Sequence, residues 1–221
     1  MLVRTPILEV KQLTQVYSTS RGTIKVLDDF NFSIAPSEFV AVSGASGSGK
    51  TTLLLAGGGM LKPTSGNVVL AGHDLFELSP IARSNHRACH LGFLFQTLEL
   101  VPYLSLLENV RLSRGVTSEI AAEWLEKLGL NDRMHHKPEL LSHGQRQRAA
   151  LARALAHQPS LIIADEPTGN LDEVNSQIVF QTLQEYKEKG GAVLVASHDP
   201  QIASWADRVI RLDANKDESE L

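Results

Sequence analysis

A single cysteine, Cys89, stands in 221 residues, so the chain has no internal disulfide and suits a reducing compartment. No apolar run approaches the ~20 residues needed to span a bilayer. Basic residues are not in excess either. The 21 Lys and Arg against 25 Asp and Glu give a formal charge of -4, which argues against a broad nucleic-acid surface, so no nucleic-acid partner is expected. The opening Met1-Leu-Val-Arg-Thr-Pro6 lacks the charged-then-apolar pattern of a signal peptide. Neither a repeat, a low-complexity tract nor a long linker interrupts the chain. These absences leave a soluble cytosolic domain and say nothing of chemistry.

What is present is ordinary globular material, 43% hydrophobic and 21% charged. At about 150 residues per domain the chain is one large domain or two small ones. Ile7–Val16 alternates and predicts a strand, and Thr23–Ile34 predicts strands around the Asp28-Asp29 pair. Glu38–Ser43 is a short apolar run ending in a glycine-rich turn, the pattern of a buried strand. A helix is expected from Thr52 to Ala56, ended by Gly57, Gly58 and Gly59. Val68–Leu70 and Gly92–Phe95 are further strand candidates. From Leu104 to Gln158 the pattern becomes helical, with an amphipathic stretch from Ser118 to Leu128. Leu161–Ala164 and Ala192–Ala196 are continuous apolar runs, as parallel strands covered on both faces would be. Val174–Lys189 between them reads as the crossover helix. Asn215–Leu221 is mostly charged and is expected to fray.

Two segments carry chemistry. Gly44-Ala45-Ser46-Gly47-Ser48-Gly49-Lys50-Thr51 fits G-x-x-x-x-G-K-[ST] between a predicted strand and a predicted helix, the context that motif requires. Glycines let the backbone curl so that successive N–H groups point at a phosphate, and the helix N-terminus adds partial positive charge. Lys50 can then reach the β- and γ-phosphates and Thr51 can ligate Mg²⁺, with Thr52 following on the helix. With the site empty, Lys50 is expected to be exposed, so that its removal leaves no cavity. The second segment, Leu161-Ile-Ile-Ala-Asp165-Glu166, is an apolar strand ending in two acids, which open α/β folds place beside the phosphate loop. Asp165 is the expected Mg²⁺-side acid, and Glu166 the group that orients and deprotonates the attacking water. Taken alone, the first segment could be a glycine-rich turn and the second a solvated acidic turn before Pro167. Together they point to a phosphate-loop ATPase.

Leu141-Ser142-His143-Gly144-Gln145 resembles Leu-Ser-Gly-Gly-Gln, the signature of the ATP-binding cassette (ABC) transporter ATPases. The resemblance runs from Ile7 to Leu212 and places further motifs in order. It implies that Tyr17 stacks on adenine and that Gln96 couples Mg²⁺ and water to a transmembrane partner. Pro138 stands where the lead-in to the signature is found. Gly169-Asn-Leu-Asp172 implies the loop that communicates between protomers, and His198 a contact to the γ-phosphate. Singly, each of these residues reads more blandly: a core tyrosine, a surface glutamine, one histidine among 8. Arg146, Arg148 and Arg153 read as a solvated helix face and charge near an interface. Ala164–Asp172 and Ser197-His-Asp-Pro200 resemble the branch of lipoprotein-release, macrolide-export and cell-division ATPases. His143 in place of glycine and a short helical stretch between Gln96 and Leu141 depart from that branch.

The resemblance implies an α/β fold: a phosphate-loop NTPase core with a mostly parallel sheet, an N-terminal antiparallel β subdomain and a helical signature subdomain. Residues 1–96 and 159–212 would form the nucleotide-binding core with its β subdomain, 97–158 the helical part and 213–221 a tail. It also implies ATP and Mg²⁺ as ligands and a homodimer closed over two ATP. There Ser142, Gly144, Gln145 and Asp172 of one protomer meet nucleotide held by the other. A separate membrane permease would be the partner, with the ATPase on the cytoplasmic face of the cell membrane. The alternative is an ATPase that signals through a permease-like partner without transport. Repair-type and translation-type relatives would need a long heptad insertion or a second copy of the domain, which this sequence lacks.

Overall fold

The computed structural model describes residues 5–20, 22–169, 171–199 and 201–212. In chain order its strands and helices are β1 (Leu8–Thr19), β2 (Gly22–Ile34), β3 (Phe39–Gly44), α1 (Lys50–Gly57), β4 (Ser65–Leu70), β5 (His73–Asp74), α2 (Pro80–His90) and β6 (Leu91–Leu94). There follow α3 (Leu106–Arg111), α4 (Ser118–Lys127), α5 (His143–Leu155), β7 (Leu161–Asp165), α6 (Glu173–Glu188), β8 (Ala192–Ala196), α7 (Ile202–Trp205) and β9 (Arg208–Leu212).

Two sheets form. The first is antiparallel in the order β2-β1-β4-β5; the second is all parallel in the order β6-β7-β8-β3-β9. The segment expected as strands around Asp28-Asp29 is one strand, β2. Asp29 (φ 44) in β2 and Gln12 (φ 50) in β1 take left-handed backbone where the register between the two strands shifts; the Gln12 N–H donates to Asn31 Oδ1, and the Thr14 hydroxyl accepts the Asp29 N–H. A bulge bends the ribbon without ending its ladder. The predicted tail and residues Asn170 and Pro200 lie outside the described residues.

The parallel sheet divides the interior. Side chains alternate across a strand, so Phe39, Ala41, Ile162, Ala164, Val193 and Val195 enter one core with α3, α4, α5 and α6. Val40, Val42, Leu161, Ile163, Leu194 and Ala196 enter the other, with α1 and the antiparallel sheet. This double coverage explains why β7 and β8 read as unbroken apolar runs. Each fully buried Leu, Ile or Val contributes about 1.5–3 kcal/mol of transfer free energy. Helices α3, α4 and α5 pack on one another. The helix expected from Thr52 begins two residues earlier, at Lys50, and ends at the glycines as expected.

Helices of eight residues or more differ at their starts. Ser79, Thr117, Ser142 and Asp172 cap α2, α4, α5 and α6 through their side chains, but α1 follows Gly49 in left-handed conformation with no side-chain cap. The first N–H groups of α1 are therefore left for something else.

Candidate active site

Four loops leave the carboxyl ends of adjacent parallel strands and converge. β3 leads into the phosphate loop, β6 into Gln96, β7 into Asp165-Glu166 and β8 into His198. Open α/β sheets place ligand crevices at this edge. A cleft of about 620 Å³ opens there, lined by Val26, Ser46, Gly47, Gly49, Lys50, Thr51, Thr52, Gln96, Asp165, Glu166 and His198. Six of the nine predicted loop residues line it; Gly44, Ala45 and Ser48 do not. Gly49 has φ 97, and a Cβ there would sit 2.7 Å from the Val26 methyl, so both backbone and space demand glycine. Val26 is a wall residue the sequence did not reveal, because nothing in an alternating strand marks which side chain faces a ligand.

Lys50 corrects an expectation. It is 9% exposed, and its Nζ donates to the carbonyls of Gly44 (2.8 Å) and Ala45 (3.0 Å). The ammonium is folded back across the loop because those carbonyls are the nearest acceptors. Thr51 donates its hydroxyl to Asp165 Oδ2 at 2.7 Å. Asp165 is 5% exposed, and burial pushes its carboxyl above the ordinary range; the Thr51 hydrogen bond and Lys50 pull it back, while Glu166 pushes further. A buried carboxylate beside a hydroxyl, with the Gln96 amide in the same cleft, is a hard-oxygen donor set that fits Mg²⁺. Among the described residues no group of three or more His, Cys, Asp or Glu could hold a metal.

Glu166 has left-handed backbone, φ 48, held by its N–H to Ala196 O at 2.8 Å. Its carboxylate accepts from the His198 N–H (3.1 Å) and the Ser197 hydroxyl (3.2 Å), and its Oε2 lies 2.9 Å from His198 Nδ1. The two sequence-predicted residues, Glu166 and His198, thus meet directly, from loops that place them 32 residues apart in the chain. Tyr17 is 39% exposed, and its hydroxyl is 3.5 Å from Thr52 Oγ1, so the ring stands at the mouth of the phosphate loop.

Ser142, Gly144, Gln145 and Asp172 are not part of this cleft. Ser142 caps α5 in a capping box: it accepts from Gln145 N (3.2 Å) while Gln145 Oε1 accepts from Ser142 N (3.0 Å). His143, half-buried, is the first residue of α5. Asp172 caps α6 and accepts from the Asn175 backbone and side chain, bonds that lower its carboxyl from the usual range. The Asn175 amide lies against Gly144, 3.0 Å from where a Cβ would be. One helix start and one neighbouring loop thus form a second surface, outside the cleft that holds the phosphate loop.

The arginines of α5 are not a solvated face. Arg146 donates to Leu141 O (2.8 Å), Arg148 to Leu128 O (2.8 Å), and Arg153 to Glu99 O (2.6 Å) and Leu98 O (2.8 Å). Burial lowers the pKa of Arg148 and Arg153 from the ordinary guanidinium range, with Asp172 and Glu99 respectively opposing it. Each side chain satisfies carbonyls that irregular segments leave unpaired, which charge patterning alone does not show.

Comparison with known proteins bears on this arrangement. The family profile described as ABC transporter matches residues 27–169. The lipoprotein-releasing system ATP-binding protein LolD 2 of Caulobacter vibrioides is 42% identical over 215 residues, 94% of each chain. The macrolide export ATP-binding/permease protein MacB of Shigella flexneri is 40% identical over 94% of this chain and 33% of its own length. A dimeric post-hydrolysis structure of the ATP-binding cassette MJ0796 bound to ADP and Pi superposes with a TM-score of 0.88 at 35% identity, covering 95% of this chain and 97% of that one.

Proposed function

Since the chain belongs to the ABC transporter ATPases, we propose that it is the ATP-hydrolysing subunit of an export-type transporter, working as a head-to-tail pair beneath a separate permease on the cytoplasmic face of the membrane. The observation that carries this is the split of the donor groups. One cleft holds the phosphate loop, Gln96, Asp165, Glu166 and His198, while Ser142, Gly144 and Gln145 stand on a separate surface. A second copy, turned to present that surface, completes the cleft. The dimeric MJ0796 structure with ADP and Pi supports such a pairing. The relatives of lipoprotein release, and a macrolide exporter that carries ATP-binding and permease parts, support placing a permease beside it.

Within the cleft each residue has a task. Tyr17 stacks on the base. The N–H groups of Ala45 to Thr52, at the uncapped start of α1, cradle the phosphates. Lys50 leaves the loop carbonyls for the β- and γ-phosphates. Thr51, Asp165 and Gln96 would hold Mg²⁺, which supplies charge neutralisation on the phosphate oxygens. Glu166 takes the proton of the attacking water and His198, already bonded to it, contacts the γ-phosphate. Ser142, Gly144 and Gln145 of the second copy close over that phosphate, with Asp172 beside them. Residues 1–96 and 159–212 are the nucleotide-binding part in this reading, and 97–158 the helical part that carries the closing surface.

The test is purification of the chain with its copurifying membrane proteins from native membranes, followed by ATPase and cargo assays in vesicles. A permease that stimulates hydrolysis and cargo that moves only with ATP are expected. Stimulation without any cargo movement would replace transport by signalling through the permease. Absence of ATPase activity with and without the permease would overturn the reading.

A further inference from the structure

Helix α5 starts at the Ser142 cap and sends two side chains back to the ATP cleft of its own chain. Gln147 is 2% exposed and donates its amide N–H to the carbonyl of Pro167, the residue after Glu166. About 9 Å further along the axis, Arg153 donates separate N–H groups to Leu98 O and Glu99 O, two and three residues after Gln96. Neither side chain lines the cleft. Each holds backbone that needs holding. Glu166 (φ 48), Leu98 (φ 64) and Glu99 (φ 48) all take left-handed conformations that a Cβ disfavours. Such backbone persists only where its surroundings fix it. Pro167 has no N–H to add to the turn, and a buried amide such as Gln147 is retained only when bonded. A planar guanidinium can reach two successive carbonyls at once, which an ammonium cannot match.

We propose that Gln147 and Arg153 are positioning residues that make α5 a strut between the closing surface at Ser142 and the two catalytic loops of the same chain. Gln147 sets the turn that aims Glu166; Arg153 sets the loop that presents Gln96. What docks on the start of α5 is thereby felt in the cleft behind it, so the two ATP sites of a pair are mechanically linked through one helix in each copy. This rests on the reading of Ser142 and Gly144 as the surface that meets the other copy's nucleotide.

The experiment uses the full chain with Gln147→Leu and Arg153→Lys, each alone and combined with Glu166→Gln or Gln96→Ala. Steady-state ATPase is read beside hydrogen exchange by mass spectrometry. Gln147→Leu is expected to lower kcat at least about tenfold with KM for ATP held within about threefold. In the Glu166→Gln background it changes the residual rate by less than about twofold, because its effect passes through Glu166. Arg153→Lys is expected to speed exchange at least about tenfold over residues 95–100 only, and to lose its effect on kcat in the Gln96→Ala background. If Gln147→Leu does not fold, Gln147→Asn withdraws the donor while keeping the polarity. Equal fold-losses in both backgrounds, or exchange that rises across the whole chain, would overturn the strut. Wild-type rates in the Glu166→Gln and Gln96→Ala single variants would instead overturn the assignment of the cleft.

Discussion

Replacing Glu166 by Gln isolates one proton transfer. The carboxylate accepts from the His198 N–H and the Ser197 hydroxyl and meets His198 Nδ1. A glutamine oxygen still accepts from the His198 N–H, and its NH₂ donates to Ser197 Oγ or to the imidazole lone pair. The hydrogen-bond number is preserved, so stability should change by less than about 1 kcal/mol. The chemistry does not survive, because an amide takes no proton from water at neutral pH. A general base contributes about 10²–10⁴-fold, or about 2.7–5.4 kcal/mol of barrier. In the proposed reading, binding rests on Lys50, Thr51, Asp165 and Tyr17, which the change leaves alone. Closure also gains: removing one charge at ~4 Å from a phosphate oxygen relieves about 4 kcal/mol of repulsion at an effective dielectric near 20. The expected result is a variant that binds ATP, releases phosphate at least about 100-fold more slowly, and elutes as a dimer with ATP and as a monomer without. Phosphate release and size-exclusion chromatography on the same preparation decide it. Hydrolysis at the wild-type rate would refute Glu166 as the base. An inactive variant that stays monomeric with ATP bound would leave the base in place and refute closure of the chain on its own.

Three further perturbations follow from the geometry. Lys50→Ala removes two hydrogen bonds to loop carbonyls as well as a phosphate ligand. It should weaken ATP binding on the order of 100-fold by calorimetry and lower Tm by roughly 2–4 °C for each kcal/mol lost, whereas unchanged turnover would sink the phosphate-loop reading. His143→Gly, at the half-buried first position of α5, should alter the ATPase rate while moving Tm by less than about 3 °C; unfolding without kinetic change would put His143 in a core. His157, half-buried with Nε2 3.2 Å from Leu91 O, has its pKa lowered by partial burial, partly offset by that bond. Its neutral form is therefore favoured in the fold. The associated stability is full above the unfolded value near 6.5 and falls as pH drops toward the folded value. His157→Gln should flatten the decline of Tm between pH 7 and 5, and an unchanged slope would exclude His157 as a source.

The parts of this protein that the sequence discloses are those whose chemistry is local. The phosphate loop is legible because left-handed glycines and a helix start leave a fixed spacing. Asp165-Glu166 is legible because a strand covered on both faces must be apolar until it ends. α2 escaped notice since none of its residues is buried, so no apolar period marks it, although Ser79-Pro80 carries the chemistry of a helix start. β9 escaped as well: it is an edge strand with mostly exposed side chains. The folded-back Lys50 and the arginines of α5 were misread for a different reason. Their partners are backbone carbonyls brought near by tertiary folding, and a carbonyl leaves no trace in the identity of the residue that bears it.

The bare start of α1 has a thermodynamic consequence. Where the other long helices bring their own cap, this one has none, and in the proposed reading its N–H groups are met by the phosphates of ATP. ATP is thus a missing piece of the secondary structure as well as fuel. By mass action a ligand at 100 times its Kd adds about 2.7 kcal/mol to a fold that binds it. The nucleotide-free chain is therefore expected to be the less stable form, and its Tm to rise with ATP concentration.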